Sequence, residues 1–519
     1  MKLFTGRRWR LLSASALPFA ALIAWGHAAS AQEAVQTVPG NANPPPASFS
    51  DPREAKIERL EAEVQALASE VSELKAAQDS GIKQLPSPEQ TGPAPAPARP
   101  EVGITNARPQ ITSADGSFKF ALRGIGQFDA ADYDVHPQTT ANDLASGTNI
   151  RRARLGFDAT AFRDWNFSLW GEFGGSGTEA AALNQAFIEY AGFKPFKWAD
   201  PIRLRAGAWA TPAGLEDATA NTEELFLERA AVEEMIRGLD AGDGREGVGV
   251  FATGARWYVS GVLTGKVAGG AATVYNQQEG FLTRAAFNLL HGKDYDVHIG
   301  GSIQGIIKPV DTVAGAAVGY SITLAQQPEL RVDSNSTKLV STGAITADRE
   351  TSYGAETGGS LKNFYVAGEY FKLDVDRTAV GSSASPFNPS FSGWYVQGAW
   401  TLTGERHVWS SSNGGFRGIF QPRHPFDLKS GQWGAWEIAA RYSVLDLDDD
   451  AGVFGKAAPL GGIRGGVQKI TTVGLNWYPN SVVRFLFDYQ HGDIVRLSSA
   501  GADAGETLND LSFRAQFAF

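Results

Sequence analysis

The end of the chain carries the strongest constraint on its fold. Leu511, Phe513, Ala515, Phe517 and Phe519 fall on one side of an extended segment, and Ser512, Arg514, Gln516 and Ala518 on the other. Side chains of a strand alternate with period 2. A strand of a transmembrane barrel turns its apolar side to lipid and its polar side to a wet lumen, with aromatics at the interface. One edge strand of a β-sandwich reads the same way, so repetition has to decide. Alternating segments recur at 117–130, 148–161, 165–174, 182–193, 201–211, 245–254, 255–267, 279–290, 294–305, 350–359, 361–375, 391–404, 433–447, 466–478, 481–496 and 506–519, sixteen in all. Single-chain barrels need an even number. The expected fold class is an all-β transmembrane barrel of about sixteen antiparallel strands.

The connections supply a second test. With both termini on the periplasmic side, odd connections are long outer loops and even ones tight turns. Turn signals stand at Arg163-Asp164, Gly254, His291-Gly-Lys293, Leu361 and Pro479-Asn480; long connections span 131–147, 212–244, 306–349, 376–390 and 448–465. The stretch 405–432 breaks the rule by being long where a turn belongs, which leaves fourteen and eighteen as alternative counts.

Composition agrees with a barrel. Glycine (59), Phe (30), Trp (13) and Tyr (13) are abundant while charged residues make up 20%. Mean hydropathy is −0.19, and no apolar run approaches the ~20 residues of a spanning helix. Cysteine is absent, which excludes thiolate metal sites and a lipid-modified N-terminal cysteine. Residues 1–31 read as a secretory signal: Lys2, Arg7, Arg8 and Arg10, an apolar stretch from Leu11 to Trp25, then Ala29-Ser-Ala31. Its removal leaves 42 basic against 56 acidic residues, a formal −14, which argues against nucleic acid as a partner.

Residues 32–52 are Pro/Asn/Ala/Ser-rich and read as disordered. Across 53–78, Ile57, Leu60, Val64, Leu67, Val71 and Leu74 repeat at alternating three and four, the seam of a short coiled coil. Under three heptads are too few to be stable alone, so several copies must be held together by something else. Residues 79–116 read as a Pro/Ala-rich linker, with the barrel over 117–519.

Sorting each strand's apolar set outward leaves Lys119, Arg123, Arg152, Arg154, Arg203, Arg205, Arg284, Arg441, Arg484 and Arg514 in the lumen, against Asp129, Asp158, Glu172, Glu189, Glu369, Glu437 and Asp488. The lumen leans basic although the chain is acidic. Guanidinium groups grip oxyanions bidentately and replace part of an anion's hydration shell; equally, each arginine can pair with an inward acid and hold an inserted loop. The loop 212–244 is the expected constriction. A capping Thr222 followed by acids reads as a short helix through Arg237, with Leu225, Phe226 and Met235 on the wall and Arg229 and Arg237 facing the channel.

These pieces resemble the phosphate-selective porin O and P family over roughly 117–519. The resemblance rests on Ile150-Arg-Arg-Ala-Arg-Leu-Gly156, Leu225-Phe-Leu-Glu-Arg229, Phe391-Ser-Gly-Trp-Tyr-Val-Gln397, Leu402-Thr-Gly-Glu405, Gly434-Ala-Trp-Glu-Ile-Ala-Ala-Arg-Tyr-Ser443 and the terminal Phe519. It implies a sixteen-stranded outer-membrane barrel, a homotrimer, and passive anion uptake along a pore in which Arg152, Arg154 and Arg229 match the family's arginines. The chain departs in the third loop, where Glu216, Asp217, Glu223, Glu224, Glu228, Glu233 and Glu234 make the segment acidic. The expectation is a porin for small hydrophilic solutes, anion-preferring, with no catalysis, no metal and no cofactor. Two readings compete: a sugar-specific porin with Trp170, Phe187 and Tyr395 as an aromatic slide, and a structural anchor reaching the cell wall through 32–110. The seven histidines are scattered (27, 136, 291, 298, 407, 424 and 491) and recommend no enzyme.

Overall fold

The computed structural model describes residues 99–519 except 106, 139–141, 176–181, 270–276, 309–319, 378–386 and 420, together with Gln65, Ala66, Ser69 and Ser72, which are helical. The signal, the stretch 32–52 and all six seam positions (Ile57, Leu60, Val64, Leu67, Val71 and Leu74) lie outside the described residues. The chain forms two units, Met1–Ala94 and Pro95–Phe519.

The second unit begins with a hairpin, β1 (Glu101–Thr105) and β2 (Arg108–Thr112). Sixteen barrel strands follow, interrupted by three short extra ones: β3 (Lys119–His136), β4 (Gly147–Ala161), β5 (Trp165–Glu172), β6 (Ala182–Phe193), β7 (Ile202–Trp209), β8 (Arg245–Gly254), β9 (Trp257–Val267), β10 (Glu279–His291), β11 (Tyr295–Lys308), β12 (Tyr320–Gln326), β13 (Val340–Leu361), β14 (Phe364–Arg377), β15 (Ser390–Thr401), β16 (Val408–Ser410), β17 (Gly415–Arg417), β18 (Ala435–Asp449), β19 (Ile463–Tyr478), β20 (Val483–Val495) and β21 (Glu506–Ala518). All but β1, β2, β12, β16 and β17 belong to the barrel, each antiparallel to the next, and β21 closes it on β3 from Thr507↔His136 to Ala518↔Ile125. Closure removes the unpaired edges that neither water nor lipid could satisfy.

The inversion of inside and outside is plain on β21. Leu511 is 65% and Phe517 51% exposed, whereas Arg514 is 1% and Gln516 6% exposed. Val248, Val250, Leu263, Ile303, Val366, Val396, Val473 and Phe487 continue the outer apolar band; Ser260, Gln304, Ser352, Gln397, Ser443, Thr472, Asn476 and Gln490 are buried inside. Near the short turns the outer face carries an aromatic belt. Trp436 stacks on Trp477 at 5.5 Å, Trp477 on Phe485 at 5.2 Å, and Phe364 on Trp400 at 5.8 Å, with Trp165–Tyr190 and Trp198–Trp257 further round. Such a girdle marks the membrane–water interface.

The closing seam depends on two glycines. A Cβ on Gly124 would lie 2.5 Å from the ring of Phe519, and one on Gly126 2.2 Å from the ring of Phe517. The bare backbone of β3 is the seat of the terminal rings, and Gly124 and Phe519 also exchange both backbone hydrogen bonds at 3.0 Å.

Two expectations need correction, and one alternative left open is resolved. Residues 101–112, assigned to the linker, form the hairpin, and β2 pairs with the start of β3. Among the described residues the long connection 306–349 contains strand at 320–326 and 340–349: β13 starts at Val340, where its first half pairs with β12 and its second with β11. Its apolar residues Ile322, Leu324, Val340 and Ile345 are buried inward, the reverse of the lipid-facing alternation. Finally, 405–432 is an elaborated turn holding the β16–β17 hairpin, so it hides no barrel strand and sixteen stands.

Gly126→Val forces Phe517 off its seat. That ring is the far end of a half-exposed side chain and can swing outward, so the folded, heat-modifiable fraction on cold electrophoresis is expected to fall only modestly, whereas Gly103→Val, where no atom lies within 4 Å of the added Cβ, leaves it unchanged.

Candidate channel and its lining

The lumen is not an open tube. Residues 212–244 fold into it, and a buried irregular segment must find partners for its backbone polar groups. The wall provides them. Glu369 accepts from the N–H groups of Leu215 (2.5 Å) and Glu216 (2.9 Å), and Asp488 accepts from Leu227 N–H (2.8 Å). Arg484 donates to the carbonyls of Thr222 (3.3 Å) and Glu224 (2.5 Å), Asn476 to Leu225 (2.9 Å), Gln304 to Ile236 (2.5 Å), and Arg514 to Leu227 (2.5 Å). The loop's side chains fill the rest: Leu225 and Phe226 pack with Tyr365, Trp409 and Phe416, while Met235 and Ile236 join Phe371, Leu373 and Tyr395.

Because the wall satisfies this segment, it need not be helical where sequence predicts. The helix runs Ala231–Asp240, with one further turn at Leu215–Ala218. Thr222 caps nothing; its carbonyl accepts from Gln516 at 2.9 Å and from Arg484.

Two other segments complete the filling. Leu330 and Val332 pack on Leu227 and Leu486, and Glu329 accepts from Ala231 N–H (2.8 Å) and Ser443 Oγ (2.6 Å). From the turn end, the 405–432 insertion enters as a tongue. Arg406 reaches Asp296 (2.8 Å), His407 Nε2 meets Glu437 (2.6 Å), and Trp409 Nε1 donates to Nδ1 of His298 (3.0 Å), whose Nε2 meets Glu356 (2.9 Å). His298 on β11 and His407 on the tongue are therefore buried packing groups. The tongue touches the loop through Arg417–Glu223 (2.7 Å) and Thr219 Oγ1 to Phe416 O (3.1 Å).

The inward arginines divide into two sets. Arg284 is clamped by Glu356 (2.7 Å) and the carbonyls of Asn413 and Gly414 (both 2.7 Å). Arg441 holds Glu216 (3.0 Å) and Glu329 (2.5 Å). Arg514 bridges Asp129 (2.7 Å) and Glu228 (2.9 Å), and Arg229 sits among Glu224 (2.6 Å), Asp217 and Glu234. Arg152 donates to Gln127 (2.8 Å) beside Glu228. Arg152, Arg284, Arg441 and Arg514, with Arg484, hold the inserted segments and are not free pore-lining groups, which corrects the sequence reading; Arg229, on the loop itself, is paired but also borders the remaining space. Arg151 was missed altogether. A bulge opposite Gln127–Phe128 turns both Arg151 and Arg152 inward, and Arg151 pairs with Glu228 at 2.7 Å. Strict alternation cannot show a bulge.

The second set lines the space that remains, a lane of about 580 Å³ along the inner face of β3–β9. Arg108, Lys119, Arg123, Arg154, Arg203, Arg205, Arg229 and Arg237 border it, against Asp158, Glu189, Asp217 and Asp243, so eight basic groups face four acids. Arg123 pairs with Asp158 (2.8 Å), Arg205 with Glu189 (2.7 Å), and Arg154 with Glu172 and Asp243. Arg203 donates to Ser412 O (3.2 Å) at the tongue tip. Among the described residues neither Lys119 nor Arg203 has an acid partner. Trp170 and Phe187 border the lane; Tyr395 does not, being buried with its hydroxyl on Glu369 (2.5 Å).

Of the loop's acids only Asp217 and Asp243 border the lane among the described residues, each paired with an arginine; the glutamates do not oppose its charge. Glu216 and Glu228 face wall arginines, Glu224 faces Arg229, and Glu223 faces Arg417. Glu233 is fully buried with neither carboxyl oxygen bonded, and burial next to Glu369 pushes its pKa well above the ordinary range. Burial would also raise Asp243, but Arg237 and Arg154 outweigh it and hold that carboxyl well below the usual value.

A closed sixteen-stranded antiparallel barrel with a lipid-compatible exterior and a charged lumen defines a channel of the bacterial outer membrane. The chain belongs to the phosphate-selective porin O and P family, whose model matches residues 120–519. None of the curated proteins matches it. Solved structures with a similar fold include outer-membrane OmpT of Vibrio cholerae, at TM-score 0.46 and 11% identity over 78% of this chain and 98% of that one. The anion-selective porin from Comamonas acidovorans gives 0.43 and 11% over 78% and 100%. The outer membrane channel DcaP of Acinetobacter baumannii gives 0.40 and 11% over 78% and 98%.

Replacing 406–432 by a tight turn leaves β15 paired with β18 and is expected to raise single-channel conductance severalfold, measured in planar bilayers. Arg441→Ala strands Glu216 and Glu329 without their counter-ion, a loss of about 3–5 kcal/mol for a buried pair; urea titration of the folded barrel reads it as a lower midpoint.

Proposed function

We propose that the protein is a passive outer-membrane porin for small hydrophilic solutes with a preference for anions. One observation carries this reading: the lane along β3–β9 is bordered by twice as many basic as acidic groups, while Glu216, Glu224, Glu228 and Glu233 of the constricting loop point into the packing. Low-dielectric walls focus such a field onto the lane. In this reading both termini lie on the periplasmic side, the long connections face outward, and Arg108 and Lys119 stand at the periplasmic mouth.

Residues 1–31 serve as the export signal, and the coiled coil of 53–78 gathers copies of the chain, consistent with a homotrimer. The sugar-porin reading is weaker because the rings of Trp170 and Phe187 are covered by Arg123 and Arg205 at 3.9 and 4.0 Å, leaving no bare aromatic slide. A wall-anchoring role for 32–110 is compatible with a channel.

The test is the zero-current potential of the reconstituted protein across a KCl gradient. The expected sign is that of chloride permeating faster than potassium, and Lys119→Glu combined with Arg203→Glu moves it toward potassium. A potassium preference in the unmodified protein overturns the assignment.

A further inference from the structure

Charge is not the only property of the lane. Its guanidinium groups lie on aromatic rings. Arg123 sits 3.9 Å from the centroid of Trp170. Arg205 sits 4.0 Å from Phe187, 4.8 Å from Phe251 and 5.5 Å from Trp209. Phe251 also lies 5.5 Å from Arg203, and Tyr258 borders the same space. The stack fixes the plane of each guanidinium, and its N–H donors lie in that plane.

An acid already occupies part of each fork. Arg205 donates both Nε (3.0 Å) and Nη2 (2.7 Å) to Glu189, and Arg123 donates Nη1 to Asp158 (2.8 Å). Each arginine therefore offers a solute one remaining edge rather than a cage of donors converging on a tetrahedral anion. The paired acids also cancel local charge. A divalent, strongly hydrated oxyanion would surrender much hydration here for few new bonds. A flat monovalent carboxylate joined to a ring loses less water. It can take one in-plane edge through its two oxygens, or lay its ring on the lane-facing side of a guanidinium that an aromatic ring already backs.

We propose that the lane is selective for small aromatic carboxylates over phosphate-like oxyanions, with the Arg123–Trp170 and Arg205–Phe187 stacks as the two recognition points. The inference rests on the anion-channel reading above and narrows it to a solute class.

The full-length protein in planar bilayers, in KCl at neutral pH, is titrated with benzoate, cyclohexanecarboxylate, acetate and phosphate, and the reduction of chloride current is read. Benzoate is expected to half-block at about a tenfold lower concentration than the other three. In Trp170→Leu and Phe187→Leu the benzoate-to-acetate ratio falls toward one. The four-anion comparison needs no variant, so it holds even if a substitution fails to fold. Equal block by benzoate and cyclohexanecarboxylate, or stronger block by phosphate, overturns this inference while leaving the anion channel standing. Potassium preference in the KCl gradient overturns the channel reading itself.

Discussion

The structure depends on side chains of the barrel wall making the hydrogen bonds that water would otherwise make to the inserted segments. A loop folded into a pore brings a run of N–H and C=O groups with no ladder to join, and each unmet group costs about 1–3 kcal/mol. Here Glu369, Asp488, Arg484, Asn476, Gln304 and Arg514 meet them from strands far apart in sequence. Charged residues are suited to this because a carboxylate only accepts and a guanidinium only donates, so each can serve several backbone groups of one kind. The ion pairs Arg441–Glu216 and Arg514–Asp129 then balance the charge that the arrangement has buried. The lumen is thus polar and solid on one side, and the shape of the remaining space follows from what is packed opposite it.

This explains why the basic excess of the inner wall is a poor guide to the pore. Counting inward residues treats Arg123 and Arg284 alike. One borders open space beside the Trp170 ring; the other gives its side-chain hydrogen bonds to Glu356 and the tongue. The difference lies in tertiary contacts between the wall and two insertions, which have no signature within the strand that carries the arginine.

Much of the fold was legible because the membrane imposes a rule of period 2 that each strand states separately. Phe513 and Arg514 reveal their faces without reference to any other residue, and Pro479-Asn480 marks its turn locally. What escaped were features that require a partner to be seen. Arg151 faces inward only because a bulge shifts the register against Gln127. β12 and the early part of β13 turn their apolar residues inward, so the lipid-facing rule does not find them. The helix expected from Thr222 begins instead at Ala231, since wall donors and acceptors make an irregular path between them affordable.

The asymmetry of the lumen also divides the sequence. The lane is bordered by residues between Arg108 and Tyr258, with only Ser412 and Asn413 contributed from further on, while the groups that brace its far side, from Arg284 to Gln516, lie in the later strands. Solute contact is thus concentrated in the early half, whereas the bracing is shared between the later strands and early residues such as Asp129, Arg151 and Arg152. Lane-facing positions of the early strands that brace nothing, such as Lys119, are therefore the ones that can drift toward new cargo without disturbing the scaffold.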